Sequence, residues 1–114
     1  MSRLIFVYEY AFARAKDAQI PKSIRCEGAA MLRALCQDLR LADREVLTLK
    51  GVNPCEEYRQ FLECARRAEA AWIIAPEIDQ ILVERCRWIE EVGVRLLGSP
   101  VAVLSWLTDK WQQY

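Results

Sequence analysis

The stretch Leu4-Ile5-Phe6-Val7-Tyr8-Glu9 lies near the start of the chain, and the interpretation of the remaining sequence depends on it. An unbroken run of apolar, aromatic and β-branched residues is typical of a strand that is buried on both faces, as in a parallel sheet. Residues 3–10 are therefore predicted to form the first strand. The run is too short for a signal sequence, and it ends at a charged residue.

A long helix is predicted over residues 23–41, because apolar residues recur there at helical spacing. Ser23 is a suitable N-cap. Residues 11–22 have no clear period and are predicted to form a loop. The helical stripe consists of Ile24, Gly28, Met31, Leu35 and Leu39.

Three more strand and helix pairs follow in the sequence. The helix after the second strand begins at Asn53-Pro54, where Asn53 is predicted to be the cap, and Tyr58 and Phe61 belong to its buried stripe. Gly93 is predicted to stop the helix after the third strand. Strands are predicted over 45–50, 70–75 and 94–97, and helices from Asn53, over 78–92 and from Ser99-Pro100.

This alternation predicts an α/β fold, a small doubly wound (Rossmann-like) four-stranded parallel sheet with helices on both faces. We expect the 114 residues to form a single domain with strand order 3-2-1-4. In such sheets ligands bind outside the carboxyl ends of the strands, where the strand order reverses. The predicted order places that point between strands one and four.

The composition excludes several classes of function. Sixteen Lys and Arg balance sixteen Asp and Glu, which argues against nucleic-acid and anionic-membrane partners. Histidine is absent, so Ser-His-Asp, Cys-His and His-metal chemistry are excluded. The glycine patterns of dinucleotide and P-loop sites are also absent. The five cysteines form no CxxC pair and are interpreted as reduced structural thiols of a cytoplasmic protein.

Four segments, in this order and spacing, resemble the amino-terminal (pre-ATP-grasp) domain of ATP-grasp ligases. They are residues 6–10, residues 27–35 with Asp38, residues 73–77 leading to Asp79, and residues 96–100 followed by Asp109-Lys110. The nearest branch looks like the tyramine–glutamate ligase group. The resemblance covers essentially the whole chain.

The resemblance implies that the chain is the substrate-side domain of an ATP-dependent carboxylate–amine ligase. Such an enzyme transfers phosphate from ATP to a carboxylate, and an amine then attacks the acyl phosphate. ATP and Mg would lie between later lobes, which these 114 residues do not contain. The chain is therefore expected to be inactive alone and to bind no cofactor by itself. Its partners would be those lobes, or another copy of the chain.

The resemblance also assigns candidate site residues, none of them catalytic and none of them metal ligands. Lys110 matches the family's basic residue that reaches the phosphates of ATP. Candidate substrate-binding residues are Glu9 at the end of the first predicted strand, Glu77 and Asp79 after the third, and Ser99 after the fourth. Each also has a purely structural interpretation. Glu9 can pair with a helix N-terminus, Glu77 and Asp79 are acids near the start of a helix, and Ser99 can begin one.

One departure from the family keeps other hypotheses open. The branch usually has a glycine-rich stretch after the Glu-Tyr of strand one, but residues 11–17 contain no glycine. Each Cβ there hinders close approach of a ligand to the backbone. The alternative is a stand-alone, degenerate α/β binding or dimerisation module, and a third possibility is an unrelated flavodoxin-like regulatory domain. A reading frame that continues past Tyr114 into acidic magnesium-binding lobes favours the ligase.

Overall fold

The computed structural model describes residues 3–97. Strands and helices alternate, as the sequence predicts, except that a short extra helix follows the first strand. In chain order the elements are β1 Leu4–Glu9, α1 Tyr10–Ala13, α2 Lys22–Leu41, β2 Glu45–Thr48, α3 Pro54–Arg67, β3 Ala70–Ile74, α4 Ile81–Val92 and β4 Arg95–Leu96.

The strands form one parallel sheet in the order β2-β1-β3-β4. The predicted fold class, an α/β fold with a four-stranded parallel sheet, is confirmed. The predicted order 3-2-1-4 is wrong, because β3 pairs with the other edge of β1 and not with β2. Burial explains the difference. Nearly every residue of β1 and β3 is buried, whereas β2 and β4 are largely exposed or half-buried. The two most apolar strands therefore occupy the centre.

Alternating side chains of β1 pack against helices on opposite faces of the sheet, which follows from the two-residue period of a strand. Ile5 and Val7 lie in a cluster with Leu32 and Cys36 of α2. Phe6 and Tyr8 point to the other face, where α3 and α4 pack. The Phe61 ring of α3 contacts both aromatic rings of β1 edge to face, with ring centroids 5.1 Å apart in each case. This arrangement confirms helices on both faces.

The segment predicted as a loop over residues 11–22 begins with the helix α1. The Glu9 side chain caps this helix, a contact that a search for hydrophobic periodicity does not detect. α2 begins at Lys22 with Pro21 at the N-cap position, so Ser23 is not the cap. The buried face of α2 starts at Ile24 and Gly28, as predicted. It continues through Leu32 and Cys36, and not through the half-buried Met31, Leu35 and Leu39.

The helices on the other face differ from prediction at single positions. Asn53 is the N-cap of α3 by position, but its side chain makes no capping hydrogen bond. Tyr58 is 45% exposed, and the buried position beside it is Glu57. α4 begins at Ile81 and not at residue 78, because Asp79 and Gln80 adopt left-handed backbone angles that interrupt a helix. Gly93 ends α4 at φ 71°, as predicted.

The predicted last helix, together with Ser99 and Lys110, lies outside the described residues. No helix within residues 3–97 is both long and apolar enough to cross a membrane. All five cysteines are unpaired, and Cys36 is the buried one.

Candidate functional site

The strand order places the reversal point between β1 and β3. From β1 the chain crosses to β2 on one side, and from β2 it returns over β1 to β3 on the other. The crevice expected for a ligand therefore lies at the carboxyl ends of β1 and β3. Glu9, the last residue of β1, is in register with Ile74, the last residue of β3. The prediction that this point lies between strands one and four is wrong, because β3 separates them.

Glu9 is a buried carboxylate at this point, with 3% of its surface exposed. Its side chain accepts hydrogen bonds from the backbone N–H of Phe12 at 2.8 Å and of Ala11 at 3.2 Å. The structural role predicted for Glu9, pairing with a helix N-terminus, is thus present. Burial raises its pKa from 4.5 to about 7, and the two N–H donors oppose that shift.

A glycine in the facing helix makes room for this carboxylate. Gly28 of α2 lies so close that a Cβ there would be 2.6 Å from the Glu9 carboxyl carbon and would overlap with its oxygen Oε1. Because Glu9 already bonds two backbone N–H groups, it cannot move aside cheaply. Glu9 and Gly28 therefore form one unit, and both belong to segments that carry the family resemblance.

The loop after β3 completes the rim. Its first residues, Ala75 and Pro76, are buried, whereas Glu77 and Asp79 are exposed. Asp79 and Gln80 have φ of 50° and 63°, a conformation that is uncommon for residues other than glycine. The structure thus brings Glu9, Glu77 and Asp79 to the same edge of the sheet. Glu9 faces inward, and the other two acids face solvent.

The sequence interpretation missed a buried ionic network on the opposite face of β1. The Tyr8 hydroxyl donates to Glu57, and the Glu57 carboxylate also accepts from Arg85 Nη2. Arg85 Nε donates to the Tyr8 oxygen at 3.2 Å. Arg14, which follows α1, donates from Nε to Glu57 at 3.0 Å. Tyr8, Glu57 and Arg85 are each at most 3% exposed.

The surroundings of Tyr8 and Arg85 suit a neutral hydrogen-bond donor and a buried cation. Burial raises the pKa of Tyr8 well above 10, a shift that Arg85 opposes and Glu57 reinforces. The hydroxyl therefore stays protonated and acts as a donor. The guanidinium carbon of Arg85 lies 4.5 Å from the ring centroid of Trp88 and 5.1 Å from that of Tyr10, so aromatic faces cover it.

A pattern in the sequence could have revealed these charges. Glu57 lies four residues before Phe61, and Arg85 lies midway between Ile81 and Ile89. Both are charged residues at the helical spacing of the buried stripe. A buried acid and a buried base on successive helices are expected to pair, because an isolated buried charge is costly.

Of two clefts, one lies away from this rim and the other reaches it at Phe12, whose backbone N–H bonds to Glu9. One of about 860 Å³ is at the opposite edge of the sheet, between the end of α2 and the starts of β1, β3 and β4, and Arg3, Glu69 and Leu97 line it. The other, about 630 Å³, runs along α2 beside the edge strand β2, and Phe12 and Thr48 line it. Among residues 3–97, no group of three His, Cys, Asp or Glu side chains is arranged to hold a metal ion.

Fold and rim together define a parallel α/β domain with an acidic rim at its reversal point. The family model of the pre ATP-grasp 3 domain matches residues 30–103, more than half of the chain. The chain therefore belongs to the pre-ATP-grasp 3 domain family, a domain associated with ATP-grasp proteins. The matched range begins within α2, two residues after Gly28, and it includes Glu77, Asp79 and Ser99. Glu9 and Lys110 lie outside it. No curated protein and no solved structure matches the chain.

Proposed function

We propose that this chain is the substrate-side domain of a cytoplasmic ATP-dependent carboxylate–amine ligase, and that it is inactive without the ATP-grasp lobes. In such a ligase the terminal phosphoryl group of ATP passes to a substrate carboxylate, which forms an acyl phosphate and ADP. The amine nitrogen then attacks the acyl carbon, an amide forms, and inorganic phosphate leaves. The match to the pre-ATP-grasp 3 domain carries this proposal.

The rim at the ends of β1 and β3 is the proposed substrate wall. Two exposed carboxylates, Glu77 and Asp79, suit a substrate amine, which is cationic before it reacts. Glu9 supports the rim from inside through its bonds to α1. Ser99 is proposed to complete the wall, and the nearest relatives are proposed to be tyramine–glutamate ligase-like enzymes.

ATP and Mg²⁺ belong to the lobes outside these 114 residues in this proposal. The part of the chain that the structure covers offers no cluster of three carboxylates or other metal-binding groups. The magnesium ligands are proposed to come from the other lobes. Lys110 is proposed to reach the phosphates of ATP from this domain.

A second candidate, a binding or dimerisation module without ligase activity, is favoured by the loop after β1. There the helix α1 occupies the end of the strand, and Ala11 and Ala13 are fully buried. The backbone N–H groups of Ala11 and Phe12 are already bonded to Glu9, so this turn offers neither of them to a ligand.

A ligation assay separates the two candidates. The full-length protein that carries this domain is incubated with Mg-ATP, mixtures of carboxylates and amines, and each substrate set alone. The ligase predicts ADP and phosphate only when a carboxylate and an amine are both present. The module hypothesis predicts no such release. It also predicts that the 114-residue chain sediments as a dimer.

A further inference from the structure

Arg14 is the outer of the two arginines that bond Glu57 in the buried network. Arg85, the inner one, bonds both Glu57 and Glu84, and the Tyr8 hydroxyl donates to Glu57. The Arg14 side chain is 18% exposed, whereas that of Arg85 is 3% exposed. Arg14 therefore makes its bond to Glu57 from the outside of the network.

The contacts of Arg14 continue into the segment that follows α1. Its Nη1 donates to Asp17 Oδ2 at 3.2 Å. The other carboxylate oxygen of Asp17 accepts from the backbone N–H of Gln19 at 2.9 Å. A continuous chain of polar contacts thus runs from Glu57 on α3 through Arg14 and Asp17 to the turn at Gln19.

Apolar packing contributes little to this segment. Lys16, Ala18 and Gln19 are exposed, and Ile20 is the buried residue that ends it. On the other side, Arg25 of α2 donates to the carbonyl of Ala15 at 3.1 Å. Backbone hydrogen bonds form the turns within the segment, from Asp17 N–H to the Arg14 carbonyl at 2.8 Å and from Ile20 N–H to the Asp17 carbonyl at 3.2 Å. Arginine side chains link the segment to α2 and α3, and Arg14 is its link to α3.

We propose that Arg14 is a positioning residue that holds the segment 14–19 against α3 through Glu57, and so sets the shape of the rim beside Glu9. The expected effect on substrate binding rests on the function proposed above, whereas the structural role of Arg14 in holding the segment does not. Arg14 touches no substrate in this account. Its effect on binding passes through the backbone that follows β1.

Hydrogen exchange on the 114-residue chain tests the positioning. Arg14→Met keeps the aliphatic stem and removes the guanidinium. We expect the amides of Asp17, Gln19 and Ile20 to exchange at least about tenfold faster, while those of β1 and β3 keep their rates, because only the local opening becomes easier. Arg14→Lys, which can still reach a carboxylate as a point charge, should restore part of the protection.

The matched control is Arg59→Met on α3. Arg59 pairs with Glu56 and Glu63 on the surface of the same helix, so its loss should leave the exchange of the segment unchanged. Unchanged exchange in Arg14→Met would overturn the proposal. An equal acceleration throughout β1 and β3 would also overturn it, because that result would mean that Arg14 stabilises the whole domain and not this segment.

The same substitution in the full-length protein tests the substrate consequence. We expect KM for the carboxylate or the amine to rise at least about fivefold while kcat stays within about twofold, as for a lost uniform binding interaction. Faster exchange with an unchanged KM would leave the positioning established and would overturn the assignment of this rim to substrate. Unchanged exchange would overturn the positioning whatever the kinetics.

Discussion

Replacing Glu9 by glutamine is expected to change how the stability of the domain depends on pH. Its pKa is about 7 in the folded chain against an ordinary value of 4.5. Between these two values the folded state binds more protons than the unfolded state, so the free energy of unfolding falls as pH rises. The stabilising contribution is complete below pH 4.5 and is lost as pH rises through 7.

The magnitude follows from the size of the shift. At about 1.4 kcal/mol for each pKa unit, the shift corresponds to about 3 kcal/mol, most of which is lost between about pH 5 and 8. Glu9 is 3% exposed, so solvent screens this effect little. Glutamine keeps a carbonyl that can accept from Phe12 or Ala11, and it does not ionise.

Urea unfolding of both proteins across this pH range measures the effect. We expect the free energy of unfolding of Glu9→Gln to gain about 2 to 3 kcal/mol relative to the original chain between pH 5 and pH 8. All other titrating groups are common to both proteins, so they cancel in the comparison. Parallel curves for the two proteins would refute the reasoning, because they would mean that folding does not raise the pKa of Glu9.

Two further substitutions test the packing and the nucleotide assignment. Gly28→Ala should destabilise the domain by about 1–3 kcal/mol in urea unfolding, because the new Cβ overlaps with the Glu9 carboxylate; the same change in a Glu9→Ala background should instead be neutral or stabilising by up to about 1 kcal/mol, as expected for alanine in a helix. In the full-length protein, Lys110→Ala should raise the ATP concentration required for half-maximal ligation and leave the KM of the carboxylate unchanged. Identical ATP dependence would remove Lys110 from the site.

The fold class could be predicted because its signals are local. The apolar run of β1 and the periodic stripes of α2 and α3 are properties of neighbouring residues. Gly93 likewise acts on its own helix. The strand order could not be obtained in this way, because it depends on which strands pair on both sides and so occupy the centre of the sheet. The sequence does indicate this in part, since β2 begins with Glu45 and β1 is apolar almost throughout.

The sequence predicts the candidate site only where residues lie at the end of a strand or in the loop that follows it. Glu9, Glu77 and Asp79 share an edge because carboxyl ends of parallel strands meet at one edge of a sheet. The network of Glu57, Arg85 and Arg14 joins residues that are far apart in sequence, and a stripe search that counts apolar residues passes over charged ones. A search that counts only apolar residues likewise places Tyr58 in the buried stripe, whereas Glu57 is the residue that is buried there.

The central claim is that the carboxyl edge of the sheet forms the substrate wall, and two matched substitutions test it most directly. Glu77 follows β3 at that edge, and Glu69 precedes β3 at the opposite edge. In the full-length protein we expect Glu77→Gln to raise KM for one of the two ligated substrates at least about fivefold, and Glu69→Gln to leave both KM values within about twofold. Equal effects, or an effect of Glu69→Gln alone, would contradict the claim.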